Sequence, residues 1–236
     1  MKLAIMQPYF FPYLGYYALI KATEKWVVFD TAQYIRKGWV NRNRICSPAK
    51  EKIAYITVPV VKAPRETMLK DATIDVRQNW EERILGQLAY YRKKAPFYNR
   101  VIDVVKEVLF CKKNKISELN VFALKTTCEY LEIPFDYSIF SEDTMNINSV
   151  NAPDEWSLEI SKNMKATSYY NPPGGVSFFD KSKFQVARID LEFLSINLNA
   201  YECIENPFIP GLSIIDVMMF NNIKEINSML NDYELL

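Results

Sequence analysis

The fold is decided by LAIM at residues 3–6, QPYFFPYLGYY at 7–17 and WVVF at 26–29. The two apolar runs predict short buried strands, and the apolar stretch 16–22 predicts a helix between them. Two strands joined through a helix are typical of a parallel βαβ unit. We therefore expect an α/β protein with a mainly parallel sheet.

The rest of the chain continues the α/β pattern. Apolar residues at three- and four-residue spacing predict a helical middle segment at about 78–132, with Ser117 as the N-cap of its last helix. Further strands are predicted at 53–60, 133–139, 167–170 and 189–194, and further helices at 153–165, 212–220 and 223–230. We predict one domain over residues 1–236, with the polar loop 143–152 as a hinge.

Charge and composition exclude several classes of protein. Histidine is absent and the net charge is +1, which excludes a Ser-His-Asp triad, an imidazole-bound metal and a globally basic nucleic-acid surface. The four cysteines form no CxxC pair, so zinc and thioredoxin-like signatures are missing. No apolar run reaches the roughly 18 residues of a membrane span. We expect a cytoplasmic protein with no metal, no nucleic-acid partner and no membrane insertion.

The first candidate site is the loop at 7–17. In open α/β sheets ligands bind beyond the carboxyl ends of the strands, and the start of the next helix attracts anions. The loop offers Gln7, Tyr9 and Tyr13, and Gly15 allows close backbone approach. The alternative interpretation is an aromatic-rich core loop.

The second candidate site follows the next predicted strand. If residues 41–44 are extended, Arg42 and Arg44 project to one face, and paired guanidinium groups suit a phosphate or carboxylate. The binding surface expected around this pair consists of Gln33, Tyr34, Lys37, Trp39, Asn41 and Asn43. The alternative is a solvated basic turn. Cys46 follows the arginines, whose charge is expected to lower its thiol pKa, and a catalytic thiol is a further alternative.

A third candidate site begins with YYNPPGG at 169–175. A strand followed by two glycines resembles an anion-cradling turn, although the GK[ST] of a P-loop is missing. Its candidate ligand-binding residues are Asn171, Gly174 and Gly175.

The same site is expected to include NPFIPGLSIID at 206–216, through Ser213 and Asp216. These two side chains have an equally good structural interpretation. In that interpretation Ser213 caps a helix, and Asp216 at the third helical position completes a variant capping box.

Taken together, the candidate sites resemble the WbqC-like family of bacterial surface-polysaccharide proteins. The matching stretches, in family order, are QPYFFPYLGYY, DTAQYIRKGWVNRNRI, VPV, YYNPPGG and FIPGLSIIDVMMFN. The resemblance spans nearly the whole chain. It implies a role in O-antigen and lipopolysaccharide biosynthesis, in which an amino acid such as glycine is attached to the amine of a nucleotide-linked deoxyamino sugar.

The reaction expected from this resemblance is N-acyl (aminoacyl) transfer. The donor would be a thioester of an acyl carrier protein or coenzyme A, with no tightly bound cofactor. Asp30, at the end of a strand, is the expected catalytic base. Tyr9, Gln7 and Asn41 would position the amine or polarise the acyl oxygen, the latter with help from the amides of Gly174 and Gly175. Arg42 and Arg44 would hold the phosphates of the nucleotide or of phosphopantetheine.

Two alternatives stay open. The opening strand, loop and helix are similar in layout to nucleotidylyltransferases, which favours an ATP-dependent nucleotidylyltransferase or amide-ligase-like enzyme. The His-x-Gly-His element of those enzymes, however, reads YLGY at 13–16. The other alternative is a non-catalytic nucleotide-sugar-binding protein. The sequence does not indicate an oligomeric state.

Overall fold

The strands of the molecule are short and lie mostly in one sheet. The computed structural model describes residues 1–145, 147, 150, 152–204 and 207–236. The strands are β1 (Lys2–Met6), β2 (Lys25–Val28), β3 (Arg42–Cys46), β4 (Ile53–Thr57), β5 (Tyr137–Ile139), β6 (Ser168–Asn171), β7 (Asp190–Ile196) and β8 (Tyr233–Leu235). The helices are α1 (Leu14–Ala22), α2 (Trp80–Leu88), α3 (Tyr98–Leu109), α4 (Ile116–Tyr130), α5 (Glu155–Asn163), α6 (Lys181–Val186), α7 (Ile214–Phe220) and α8 (Ile223–Met229).

Within the described residues, six strands form the main sheet in the order β5-β2-β1-β6-β7-β8. Neighbouring strands are parallel except β8, which runs antiparallel to β7. The predicted α/β class, with a mainly parallel sheet and a βαβ opening, is confirmed. Strand β1 connects through α1 to β2 on one side, whereas β6 connects through α6 to β7 on the other. The strand order therefore reverses between β1 and β6, which is where open α/β sheets bind ligands.

Helices cover both faces of the main sheet because alternate strand residues point to opposite sides. In β1, Ala4 is buried on the face that also holds residues of α1, α3, α4 and α7. Its neighbours Leu3 and Ile5 are buried on the other face with residues of α5 and α6. Burial on both faces explains why the first strand is a continuous apolar run rather than an alternating one.

The segment between β2 and β5 departs most from the predicted pattern. The strand predicted at 53–60 exists as β4, but it pairs antiparallel with β3 in a separate two-stranded sheet. Helices α2, α3 and α4 lie within the helical portion predicted at 78–132. Ser117 is not an N-cap, because Lys115 occupies that position and Ser117 is buried inside the first turn of α4.

The hydrophobic periodicity of the sequence does not predict α6 or β8. Helix α6 has six residues and β8 has three, which is too short for a repeating pattern to be recognised. The start of α6 does carry a local signal, since the Asp180 side chain accepts a hydrogen bond from the Ser182 amide at 2.9 Å. The loop predicted as a hinge at 143–152 includes residues 146, 148, 149 and 151, which lie outside the described residues. In the part of the chain that is described, none of the helices could cross a membrane.

Candidate functional site

A cleft lies at the carboxyl ends of β1 and β6, where the strand order reverses. It consists of two cavities that share Met6 and Tyr9 in their walls. The aromatic lobe, about 310 Å³, is lined by residues that include Gln7, Phe29, Trp156, Asn171, Phe178 and Phe179. The arginine lobe, about 470 Å³, is lined by residues that include Tyr13, Trp39, Arg44, Pro172, Gly174 and Gly211. Adjoining cavities of this size can bury a nucleotide-sized ligand.

The loop after β1 is held in the cleft wall by buried aromatic rings and by a side-chain amide. Phe10 and Phe11 are fully buried. The Asn43 amide donates hydrogen bonds to both of their carbonyl oxygens, at 3.2 Å to Phe10 and 2.8 Å to Phe11. Since Asn43 belongs to β3, these bonds fix Tyr9 relative to the hairpin that carries the arginines.

Arg44 supplies the charge of the cleft. Among the described residues that line the two lobes, no other has a charged side chain. Its Nη2 donates a hydrogen bond to the Gly211 carbonyl at 2.9 Å, and its guanidinium carbon lies 5.6 Å from the centre of the Trp39 ring. It forms no ion pair with a carboxylate of the described residues. Its positive charge is therefore available to a ligand.

Gly211 makes room for Arg44. Its φ is +70°, and a Cβ atom at this position would lie 3.3 Å from Nη2 of Arg44. Residues with a side chain rarely adopt this backbone conformation. The glycine therefore allows both the turn and the close approach of the guanidinium group.

The tyrosines of the cleft are neutral hydrogen-bond donors at physiological pH. Burial raises the pKa of the Tyr9 and Tyr13 hydroxyls. Burial raises the pKa of Tyr16 further, and its hydroxyl donates to the Gln7 carbonyl at 2.5 Å. The arginine lobe thus combines one cation with neutral hydroxyls and aromatic faces. This combination suits an anionic group joined to a planar or apolar group.

No cluster of metal ligands is found in the described part of the chain, where no three His, Cys, Asp or Glu side chains come together to hold an ion. The cleft walls offer aromatic, amide and hydroxyl groups together with the Arg44 guanidinium. Such groups can bind organic phosphates and sugars.

Comparison with known protein families identifies the group to which the chain belongs. A family model described as the WbqC-like protein family matches residues 7–228. The chain belongs to the WbqC-like protein family. The uncharacterized protein Rv1507c of Mycobacterium tuberculosis is 26% identical to it over 229 residues, covering 93% of each chain. No solved structure matches the chain. The family resemblance predicted from the motifs is therefore confirmed.

In this WbqC-like protein Asp30, the expected catalytic base, is buried in a structural contact. It is 3% exposed, and its carboxylate accepts hydrogen bonds from the Ser141 amide at 3.0 Å and the Ser141 hydroxyl at 2.6 Å. These bonds join the end of β2 to the end of β5. Asp30 lines neither lobe, so the expectation that it deprotonates a substrate in the cleft is corrected.

The predicted pair of arginines is divided between two environments. Both lie on one face of β3, but the guanidinium carbon of Arg42 is 4.3 Å from the centre of the Tyr55 ring on β4. Arg42 therefore packs on the hairpin and does not line the cleft, unlike Arg44. Asn41 is buried and donates to the carbonyl that follows β4 at 2.9 Å. Asn41 and Arg42 therefore do not have the substrate-binding roles predicted for them. The Asn43 amide donates its hydrogen bonds to the loop after β1.

Gln33, Tyr34 and Lys37 lie on a separate surface. The Gln33 amide and the Tyr34 backbone amide donate to the facing loop at 61–68, at 2.5 Å and 2.8 Å. Lys37 is exposed and has a left-handed backbone with φ of 59°. The structure therefore splits the predicted second site into the arginine lobe and this outer surface.

The predicted anion-cradling turn contributes to both lobes without forming a cradle. Asn171 lines the aromatic lobe and donates to the Tyr169 hydroxyl at 2.6 Å, whereas Gly174 lines the arginine lobe. The Gly175 amide donates to the Pro172 carbonyl at 3.0 Å, so it is not free for a ligand oxygen. A Cβ atom at Gly175 would lie 2.5 Å from Oδ1 of Asn171, which explains this glycine by packing.

Ser213 lies in the core beneath the loop after β1. It is fully buried and is the N-cap of α7, as its structural interpretation predicts. Its hydroxyl accepts a hydrogen bond from the Ile215 amide at 3.3 Å and donates one to the Phe11 carbonyl at 2.7 Å. The alternative role in substrate binding is corrected. Asn206, from the same predicted stretch, lies outside the described residues.

Asp216 belongs to a sealed polar cluster rather than to a capping box or the cleft. Its two carboxylate oxygens accept hydrogen bonds from the hydroxyls of Tyr91 and Tyr201, both at 2.6 Å. Burial raises the pKa of the Asp216 carboxyl. Burial and the nearby Asp216 also raise the pKa of the Cys46 thiol, so the expected lowering by the arginines is wrong. Neither residue lines the cleft, so substrate binding by Asp216 is corrected as well.

Sequence reasoning found Gln7, Tyr9 and Asn171 of the aromatic lobe but missed its apolar lining, including Met6, Phe29 and Trp156. Met6 ends β1 and Phe29 follows β2 directly, so the rule placing ligands at the carboxyl ends of strands could have found both. Trp156 packs on Phe29 with 5.8 Å between ring centres. Because this contact joins distant parts of the chain, no local pattern indicates it.

Proposed function

We propose that this WbqC-like protein is an N-acyltransferase of cytoplasmic O-antigen (lipopolysaccharide) biosynthesis. It would attach an aminoacyl group such as glycyl to the amine of a nucleotide-linked deoxyamino sugar. The observation that carries the proposal is Arg44, which faces the cleft on the Trp39 ring without a carboxylate among the described residues. A guanidinium group in this state can bind a phosphate through two parallel hydrogen bonds.

The two lobes match the two parts of a nucleotide-linked sugar. Arg44 would hold a phosphate of the diphosphate, or the phosphate of a phosphopantetheine arm. Trp39 is 43% exposed and offers a face on which a base can stack. The aromatic lobe, whose polar side chains include Gln7 and Asn171, suits an uncharged sugar ring. Tyr9 lines both lobes, so the sugar amine and the acyl group would meet beside it.

The transfer itself can proceed without a charged catalytic group. The neutral amine attacks the thioester carbonyl, a C–N bond forms, the C–S bond breaks, and the proton lost by the amine ends on the departing thiolate. A neutral amine is already a good nucleophile, so holding the two substrates together supplies much of the acceleration. The Tyr9 hydroxyl, kept protonated by its raised pKa, donates to the acyl oxygen as negative charge develops there.

A non-catalytic nucleotide-sugar-binding protein is the second candidate. It is favoured by one observation: no Asp, Glu or Lys is among the described residues that line the two lobes. Such a protein would bind the nucleotide sugar in the same cleft and pass it on unchanged.

Turnover followed by mass spectrometry separates the candidates. The protein is incubated with a nucleoside-diphosphate-linked amino sugar and glycyl-coenzyme A or a glycyl carrier protein, without ATP or added metal. We expect the sugar to gain one glycyl group, at a rate that falls about a hundred- to a thousandfold in Tyr9→Phe, since one oxyanion contact is lost. Tyr130→Phe, outside the cleft lining, is the control. Binding without mass gain supports the second candidate. Pyrophosphate release in a parallel incubation with ATP and magnesium supports the ATP-dependent alternative.

A further inference from the structure

The loops at 32–37 and 61–68 form one exposed surface beside the hairpin. The Tyr34 amide donates to the second loop at 2.8 Å, and the Arg36 guanidinium donates to a backbone carbonyl of the same loop at 2.8 Å. A cavity of about 520 Å³ lies where the two loops meet. These contacts give the surface a defined shape.

This surface, called the basic surface below, is both positively charged and apolar. Its cations are Arg36, Lys37, Lys62 and Arg65, while the two loops contain one carboxylate, Glu66. None of the four cations forms an ion pair with a carboxylate of the described chain. The same two loops carry exposed aliphatic side chains, namely Ile35 at 63%, Met68 at 43% and Val61 at 38% exposure.

We propose that the basic surface docks the carrier protein that delivers the acyl thioester, an inference that rests on the acyl transfer proposed above. The partner is a protein whose surface is acidic around the attachment point of its thioester arm. Opposite charges on the two surfaces would steer the encounter and fix its orientation. Exposed apolar side chains together with charged ones match the apolar centre and polar rim that make up a protein–protein interface.

The basic surface adjoins the arginine lobe. The Gly38 amide donates to the Ile35 carbonyl at 3.1 Å, and a turn of this kind keeps its ends within about 7 Å. Trp39 follows the turn directly and lines the arginine lobe. A partner seated on the basic surface therefore places its arm at the mouth of the arginine lobe.

The aliphatic residues favour a protein over other anionic partners. Single-stranded nucleic acids stack their bases on aromatic side chains. The exposed apolar side chains of the basic surface are Ile35, Val61 and Met68, and its one aromatic residue, Tyr34, is half-buried. Proteins that lie on anionic membranes commonly use a basic amphipathic helix, whereas the basic surface consists of two loops.

Charge reversal on the basic surface tests the proposal. Lys62→Glu/Arg65→Glu changes two exposed side chains, and Lys50→Glu/Lys93→Glu makes the same change at exposed positions elsewhere. Binding of the holo acyl carrier protein of the same organism is measured by surface plasmon resonance at two salt concentrations. We expect the first variant to weaken binding about tenfold, the second to leave it unchanged, and added salt to weaken binding by the natural protein.

Comparing the two acyl donors separates a failure of the docking surface from a failure of the proposed acyl transfer. Lys62→Glu/Arg65→Glu should raise KM for the glycyl carrier protein about tenfold and leave transfer from glycyl-coenzyme A unchanged. Transfer from coenzyme A with no binding of the carrier protein would overturn the docking surface and keep the acyltransferase. Carrier binding that depends on Lys62 and Arg65, with no transfer from either donor, would keep the surface and overturn the acyltransferase. Binding of duplex DNA or anionic vesicles in place of the carrier protein would also overturn the docking surface.

Discussion

Arg44 and Asp216 lie in neighbouring segments, yet the structure uses their charges in opposite ways. The Ser213 amide, at the start of α7, donates to the Arg44 carbonyl at 2.8 Å, so the two segments are joined directly. The Arg44 side chain turns to an open cavity and has no carboxylate partner in the described chain. Asp216 is 1% exposed, and tyrosine hydroxyls occupy both of its oxygens. Hydrogen bonds that satisfy a polar group inside the fold stabilise the fold, whereas a charged group without an ionic partner at a cavity can bind a ligand.

Of the changes that test this contrast, removal of the Asp216 carboxylate should have the largest effect on stability. In Asp216→Ala two buried tyrosine hydroxyls lose their acceptor, at about 1–3 kcal/mol each. We therefore expect the free energy of unfolding to fall by about 2–6 kcal/mol, as measured by urea denaturation. Tyr201→Phe, which removes one donor and keeps the carboxylate, should cost less. An Asp216→Ala variant that is as stable as the natural protein but has lost nucleotide-sugar binding would place Asp216 in the binding site.

Arg44→Ala should affect binding more than folding. A charge-assisted contact with a phosphate contributes about 1.5–3 kcal/mol, so affinity for a nucleoside-diphosphate sugar should fall about ten- to a hundredfold by calorimetry. Loss of the hydrogen bond to Gly211 should lower the free energy of unfolding by about 1 kcal/mol. Arg44→Lys should restore only part of the affinity, because lysine has no planar fork.

Arg42→Ala is the matched control, because it removes the same group from the same face of β3. Arg42 packs on Tyr55 and lies outside the cleft lining, so its loss should leave the affinity unchanged. Equal losses of affinity in Arg42→Ala and Arg44→Ala would show that the two arginines bind one ligand, as the sequence predicts.

The opening of the fold could be predicted because its signals are local. The apolar runs of β1 and β2 and the apolar stretch of α1 between them lie within residues 2–28, so one short window contains the whole βαβ unit. The general location of the cleft also follows from this unit, since ligands of open α/β sheets lie at the carboxyl ends of strands. Gln7, Tyr9 and Tyr13 line the cleft for that reason.

The roles of individual polar residues could not be predicted because their partners are distant in sequence. Asp30 is a carboxylate at a strand end, where a catalytic base could lie. Its oxygens, however, accept hydrogen bonds from Ser141, 111 residues further on. Asp216 is satisfied by Tyr91, 125 residues earlier. Arg42 packs on Tyr55 of the next strand, whereas Arg44 reaches Gly211, 167 residues further on. A sequence shows which groups can bind a ligand, and the fold determines which of them remain unsatisfied.

Gly211→Ala should have a smaller effect on both stability and binding. A side chain at φ of +70° costs about 1–2 kcal/mol, and the new methyl group would lie 3.3 Å from Nη2 of Arg44. We expect a loss of about 1–2 kcal/mol in the free energy of unfolding, together with weaker binding, because the guanidinium group must shift. Gly86→Ala is the control, because the same substitution there should raise the free energy of unfolding instead of lowering it. Nothing lies within 4 Å of a Cβ atom there, and in the middle of α2 alanine should stabilise by about 0.5–1 kcal/mol.

Per pH unit, the smallest expected effect is the pH dependence that Asp216 contributes. Burial raises its carboxyl pKa, and this effect exceeds the lowering by hydrogen bonds from Tyr201, Tyr91 and Cys46. An unfolded Asp has a pKa of about 3.9, so the folded protein keeps the proton at pH values where the unfolded chain has lost it. The contribution of Asp216 to stability should therefore fall as the pH rises from about 4 to the folded pKa, and stay level above it.

Asp216→Asn isolates this contribution, because the amide keeps the shape of the carboxyl group and does not titrate. The free energy of unfolding of both proteins is measured in urea between about pH 4 and pH 8, a range that starts at the pKa of an unfolded Asp. The stability of the natural protein relative to Asp216→Asn should decrease as the pH rises, by at most about 1.4 kcal/mol per pH unit. A difference that increases with pH would show that the hydrogen bonds to the carboxylate outweigh burial. In that case the fold would stabilise Asp216 as an anion. Asp216 and Arg44 would then both be charged, and they would differ only in their access to solvent.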